Sequence, residues 1–309
     1  MSAARATVFG LDVWGVEPLS LLAGAAAAPT GRRLELSSRR GVGRAPAERD
    51  GFELLWEQLE PDGTVNMRVE AHPDAGYLLW GPRYGSHFLS ADGGRVSCVA
   101  DGAREQDWQR MLIAQVLPFA AVLNGLEVFH ASAVVLDGQA VAFAGPSRAG
   151  KTSLALALCR LGAGFLADDV LALERDGAGL VGHPGSALAG VAREEARRLA
   201  SLGEVLGANA RELLVRTPTV ATPAPLAALF FLERCTDGPD EPRFEPLTDA
   251  GMLLSATFNF LLAAPERLQG LLDVCARAAR VRVERAIVGP TVDASALSAV
   301  IARRLRGSR

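Results

Sequence analysis

The chain of 309 residues is nearly devoid of lysine: among 32 basic residues, 31 are Arg and one, Lys151, is Lys. Basic and acidic residues almost cancel, at 32 against 35, leaving a formal charge of −3. No global basic field is available to hold nucleic acid or an anionic membrane surface. Cysteine is sparse and scattered (Cys98, Cys159, Cys235, Cys275), with no Cys-x-x-Cys pair and no Cys/His cluster. That spacing excludes a structural zinc site and suggests buried, reduced thiols. Long apolar runs are missing too. The stretch Leu19–Ala28 is too short to span a bilayer, and no signal-peptide pattern precedes it. A cytoplasmic protein with no membrane partner is expected.

What is present fits an ordinary globular protein, with 49% hydrophobic and 22% charged residues. Residues 31–50, rich in Arg, Gly and Ser, read as a solvated loop. From Gly51 to Val99, short segments alternate in polarity between turn residues, with Asp62-Gly63 and Asp92-Gly93-Gly94 as hairpin turns. Near Ala103 the character changes. Residues 105–123 have helical periodicity, with Pro118 as a kink or break. Strand patterns follow at Ala131–Leu136, Ala140–Ala144, Ala227–Glu233 and 281–288, and helical ones at Gly251–Ala263, Pro265–Ala278 and Ala294–Leu305. The expectation is a β-rich N-terminal domain over 1–103 and an α/β domain over 104–309.

The single lysine stands in Gly145-Pro146-Ser147-Arg148-Ala149-Gly150-Lys151-Thr152, which matches the phosphate-loop pattern G-x-x-x-x-G-K-[ST] in full. An apolar strand precedes it, and the helical run from Ser153 to Leu161 follows. Each part has a physical role. Glycines let backbone N–H groups turn inward around phosphate oxygens. The helix N-terminus adds the positive end of its dipole. Lys151 is a compact cation for the β and γ phosphates, and the Thr152 hydroxyl suits Mg²⁺. A planar, bulkier guanidinium would not replace it easily, which explains why an arginine-biased chain keeps a lysine here.

After the helix, Phe165-Leu-Ala-Asp168-Asp169-Val170 reads as a strand parallel to Ala140–Ala144, ending beside the loop. Two carboxylates there can divide the work, one holding Mg²⁺ and one accepting the proton of an attacking hydroxyl; the pattern leaves open which of Asp168 and Asp169 is the base, with Asp168 favoured and Asp169 then the metal contact. His130 precedes the strand pair, and from spacing alone a structural role is the usual one for such a lone histidine. Arg216 could reach a transferring phosphate, but in a chain with 31 arginines a solvated role fits it better.

The segment Phe129–Glu174 resembles the catalytic core of HPr kinase/phosphorylase and its wider relatives. The order of histidine-bearing strand, turn, phosphate loop, helix and Ala-Asp-Asp strand carries the resemblance. It implies a kinase domain like the nucleotide domain of phosphoenolpyruvate carboxykinases, with ATP and Mg²⁺ as cofactors. Gly145, Gly150, Lys151 and Thr152 would hold phosphate and metal, Asp168 and Asp169 would supply base and metal contact, and His130 would border the phosphates. Pro146 and Arg148 depart from the Asp and Gly usual in HPr kinases, and Thr152 replaces serine. No Glu-Ile-Arg-Gly segment is present, and a Pro-x-Arg-Pro-Gly-Arg segment is reduced to Val215-Arg216-Thr217-Pro218. Shortened relatives that phosphorylate a serine of a ribosomally made peptide, such as lasso-peptide precursors, are the better comparison.

The expected function is therefore transfer of the γ-phosphoryl group of ATP to a hydroxyl, preferably a serine of a peptide or small protein. The alternatives are a small-molecule kinase and a nucleotide-binding regulator with little turnover. A G-protein is excluded because its Asn-Lys-x-Asp signature needs a second lysine. An ABC-type ATPase is disfavoured by the lack of Leu-Ser-Gly-Gly-Gln. Self-association is left open.

Overall fold

The computed structural model describes residues 4–15, 21–22, 25, 28–39, 51–100, 102–194, 196, 203–208, 212–258 and 265–307. The first half forms one sheet of eight strands: β1 (Ala4–Val8), β2 (Leu11–Gly15), β3 (Arg33–Arg39), β4 (Glu53–Leu59), β5 (Val65–His72), β6 (Gly76–Gly81), β7 (Gly85–Ser90) and β8 (Arg95–Val99). Their order across the sheet is β1-β2-β3-β8-β7-β6-β5-β4. The expected alternation from Gly51 to Val99 is the antiparallel meander β4–β8. Strand β3 corrects the reading of residues 31–50 as a loop; it runs parallel to both β2 and β8. Its side chains alternate, with Leu34 and Leu36 buried while Arg33 and Glu35 face outward. Arginine-rich composition concealed this period of two. Residues 40–50 lie outside the described residues.

Helix α1 (Glu105–Met111), a π-helical turn at Leu112–Val116 and helix α2 (Leu117–Leu123) form one continuous run. Pro118 does not break the helix. It has no N–H to offer the carbonyl four residues back, and the widened turn lies immediately upstream. The run covers the first sheet, so Leu112, Val116, Phe119 and Ala120 share a core with Leu34, Val69, Leu79, Leu89 and Val96.

The remaining strands are β9 (Glu127–Phe129), β10 (Ser132–Leu136), β11 (Gln139–Ala144), β12 (Gly164–Ala167), β13 (Leu171–Asp176), β14 (Gly179–Gly182), β15 (Leu188–Ala192), β16 (Val205–Ala208), β17 (Glu212–Arg216), β18 (Ala224–Arg234), β19 (Arg243–Pro246) and β20 (Arg282–Val288). The helices are α3 (Lys151–Arg160), α4 (Ala250–Ser255), α5 (Pro265–Ala278) and α6 (Ala294–Arg306). The second sheet runs β12-β10-β11-β18-β14-β13-β9, with β20 also on β18 and β19 on β20. Strand β18 is parallel to β11 and β20 but antiparallel to β14, so the molecule is a mixed α/β structure of several sheets. Along β18 the side chains divide by period. Ala228, Phe230 and Leu232 face a core with α3 and α6, whereas Leu229 and Phe231 face one with α4 and α5. Phe230 stacks on Phe143 of β11 at 6.2 Å between ring centroids.

Strand β12 follows β11 through α3, as expected. It has the same direction as β11 but does not touch it, because β10 lies between them and pairs antiparallel with each. Helix α4 stops at Ser255, short of the expected Ala263. Thr257 instead bridges Phe129 of β9. Residues 259–264 lie outside the described residues. A third, small sheet, β15-β17-β16, stands apart from the second. Of the four thiols, Cys98 and Cys275 are buried, but Cys159 and Cys235 are only half-buried. No described helix is long and apolar enough to cross a membrane.

Candidate active site

The loop Gly145–Thr152 leaves the end of β11 and enters α3 directly. Its two end glycines are obligatory for different reasons. Gly145 has φ +138°, and a Cβ there would sit 2.6 Å from the backbone oxygen of Leu232 on the neighbouring strand. Gly150 is the N-cap of α3 with φ +94°, a left-handed conformation that other residues resist. No side chain caps α3, and no acidic residue stands in its first turn, so its N-terminal dipole is not neutralised locally. Pro146, Ser147 and Arg148 form the exposed crest, Ala149 is buried, and Thr152 and Ser153 are half-buried. Lys151 is buried, and its Nζ donates to the carbonyls of Gly145 (3.0 Å) and Pro146 (3.2 Å). Burial holds its pKa below the ordinary lysine value, opposed by the nearby charges of Asp169 and Asp168.

The two aspartates follow β12 and have different surroundings. Asp168 is buried, and its carboxylate is fully engaged. Oδ1 accepts from the Ser132 hydroxyl at 2.6 Å and the Thr152 hydroxyl at 2.7 Å, and Oδ2 accepts from the Gly190 N–H at 2.9 Å. Burial, then the neighbouring Asp169, push its pKa up to about 7, against the pull of these three bonds. Asp169 is exposed and held at φ +59°, a strained conformation for a residue with a Cβ. His130 secures that turn. Its Nδ1 lies 3.0 Å from the Asp169 carbonyl, which can only accept, so Nδ1 carries the proton. Desolvation of the ring, then the charge of Lys151, hold the His130 pKa low, opposed by Asp169.

The structure thus brings Lys151, Thr152, Asp168, Asp169 and His130 into one site at the junction of β11, α3 and β12. The Thr152 hydroxyl, expected with Asp169 at the metal, rests on Asp168. Arg216 sits at the end of β17, where its Nε pairs with Glu204 Oε2 at 3.1 Å. Three partners escaped the sequence reading. Ser132 and the Gly190 N–H hold Asp168, and Arg234 at the end of β18 reaches the Ala149 carbonyl of the loop at 3.4 Å. The run Leu-Glu-Arg closing an apolar strand was a usable signal for Arg234. Ser132 and Gly190 carried none.

Among the described residues, no group of three or more His, Cys, Asp or Glu is placed to hold a metal alone. The Thr152 hydroxyl and the two carboxylates are hard oxygen donors of the kind Mg²⁺ takes when phosphates and water complete its shell. The donor set therefore fits a nucleotide-borne Mg²⁺ rather than a resident ion.

No family model matches the chain, and no curated protein matches it. Among solved structures, it is similar to that of the Hpr(Ser) kinase/phosphatase from Coxiella burnetii. Sequence identity is 16%, 59% of this chain and 95% of that chain are covered, and the TM-score is 0.32. At that score the two backbones diverge too far for anything about this chain to rest on the match.

Proposed function

We propose that this protein is an ATP-dependent kinase that transfers the γ-phosphoryl group to a hydroxyl, preferentially a serine of a peptide or small protein. The observation that carries the reading is the contact of the Thr152 hydroxyl with Asp168 at 2.7 Å. It joins a glycine loop and its lysine to a buried carboxylate whose pKa of about 7 suits a base at neutral pH. A regulator that only binds nucleotide has no use for such a group.

In this reading, the loop N–H groups and the N-terminus of α3 cradle the phosphates, and Lys151 moves from the loop carbonyls to the transferring group. Ionised Asp168 takes the acceptor proton while the acceptor oxygen bonds to the γ-phosphorus. The bond from that phosphorus to the β–γ bridging oxygen breaks, and ADP leaves. Mg²⁺, when bound, neutralises phosphate charge, and Thr152 and Asp169 would hold it. His130 positions the Asp169 turn through its carbonyl. The departures at Pro146 and Arg148 favour a ribosomally made precursor peptide over HPr as acceptor. The test is incubation with ATP, Mg²⁺ and either precursor peptides, HPr or free hydroxyl metabolites, followed by product masses. A phosphoryl gain on a seryl peptide is expected. Gain on HPr alone, or on a metabolite alone, would replace the acceptor class, and no transfer to any of them would reject the kinase reading.

A further inference from the structure

A shallow, half-open cleft with mainly apolar lining opens on the aspartate pair. Among the described residues lining it, none belongs to the 145–152 loop. The cleft therefore reaches Asp168 and Asp169 from a side other than the loop. Its walls come from three separate parts of the molecule. The β1–β2 turn contributes Phe9, the π-helical turn Ile113 and Ala114, and the small third sheet Leu188 and Leu214. A salt bridge between Arg110 and Glu212 lies along the same wall.

Phe9 shows that this wall is built rather than incidental. It has φ +53°, which a bulky residue adopts only under constraint, yet it is 1% exposed. Its N–H donates to the Pro184 carbonyl at 2.8 Å, which anchors the hairpin tip against the second half of the chain. Gly185 makes room for it: a Cβ there would lie 3.3 Å from the Phe9 ring and 3.2 Å from Ala167 Cβ at the end of β12. A strained aromatic is thus wedged beside the strand that delivers the two aspartates.

We propose that this cleft is the acceptor site, and that it takes a serine whose neighbouring residues are apolar. The proposal rests on the kinase reading for the direction of transfer, but its recognition part stands on the cleft itself. The aliphatic part of the lining desolvates apolar flanks favourably, whereas a charged flank gains a partner only by displacing the Arg110–Glu212 pair. The Arg110–Glu212 pair offers a donor and an acceptor to peptide backbone at the cleft edge.

The test uses the full chain with a non-hydrolysable ATP analogue and Mg²⁺. Calorimetry measures the affinity of acetyl-Leu-Ser-Leu-amide, acetyl-Asp-Ser-Asp-amide and acetyl-Lys-Ser-Lys-amide. The first should bind at least about tenfold tighter than either charged peptide, the scale that apolar pockets reach. Ala114 is exposed on the cleft wall, so Ala114→Trp fills the space without entering the core. It should remove the preference, and Ala114→Ser should retain it. Equal affinities, no binding to the wild type, or an unchanged preference in Ala114→Trp would overturn the proposal. With ATP in place of the analogue, a peptide that binds selectively but gains no phosphate refutes the kinase reading alone. Phosphorylation indifferent to flanks and to Ala114→Trp refutes the cleft alone.

Discussion

Replacing Asp168 by Asn should make the free protein more stable above about pH 4, by an amount that grows up to about pH 7 and then stays constant. Folding raises this carboxyl from its ordinary 3.8 to about 7, chiefly through burial and secondarily through Asp169. Between those values the folded state binds more protons than the unfolded state. Stability therefore falls as pH rises through this window, by about 1.4 kcal/mol per pH unit and roughly 4 kcal/mol in all. The asparagine can take the same seat. Its amide nitrogen has two hydrogens for the Ser132 and Thr152 hydroxyls, and its oxygen can accept from the Gly190 N–H, so every partner seen around Asp168 is satisfied. The hydroxyls need only turn from donor to acceptor.

The variant should match the wild type near pH 4 and exceed it by up to roughly 4 kcal/mol at pH 9. At about 2 °C per kcal/mol for a large domain, the gain in Tm approaches 8 °C. Thermal or urea unfolding of both proteins across this range measures it, and the difference between them cancels the titrating groups that lie away from Asp168. Catalysis should move the opposite way. The wild-type rate should climb as Asp168 ionises through neutral pH, and Asp168→Asn should lose that limb together with about 10²–10⁴-fold of the rate. A variant less stable than the wild type at pH 9, or a stability difference flat with pH, would refute a buried and proton-hungry Asp168.

Lys151→Ala should lower phosphoryl transfer by at least roughly 10²–10³-fold, the scale for losing one charge-stabilising group, while circular dichroism shows the fold retained. Asp169→Asn should leave Tm nearly unchanged, because the site is exposed and Asn tolerates the left-handed backbone, but should weaken Mg²⁺-nucleotide affinity in a titration. Gly145→Ala should cost at least about 1–3 kcal/mol in urea unfolding and abolish nucleotide binding, since its Cβ would press on the Leu232 carbonyl.

The parts of the site that were legible in sequence are those the chain delivers contiguously. Strand, glycine loop, lysine, helix and aspartate pair follow one another within Gln139–Asp169, so local spacing already places Thr152 near the end of β12. The residues that tune Asp168 come through sheet pairing instead. Ser132 is in reach because β10 inserts between β11 and β12, a neighbour relation that spacing does not encode. Gly190 acts through its backbone N–H, which leaves no mark on residue type. Strand β3 was concealed by composition, although its Arg-Leu-Glu-Leu alternation was present throughout. The cleft was the least legible feature. Phe9, Ala114 and Leu214 come from three distant segments and share an address only once the first sheet, its covering helix and the third sheet meet over β12. The catalytic charges thus lie on one local motif, whereas the walls beside them are assembled from the rest of the chain. Changes to the exposed Ala114 can then alter which serine is selected without disturbing the loop that holds the phosphates. Variants at Ala114 should therefore change acceptor preference while nucleotide affinity still tracks Lys151 and Thr152.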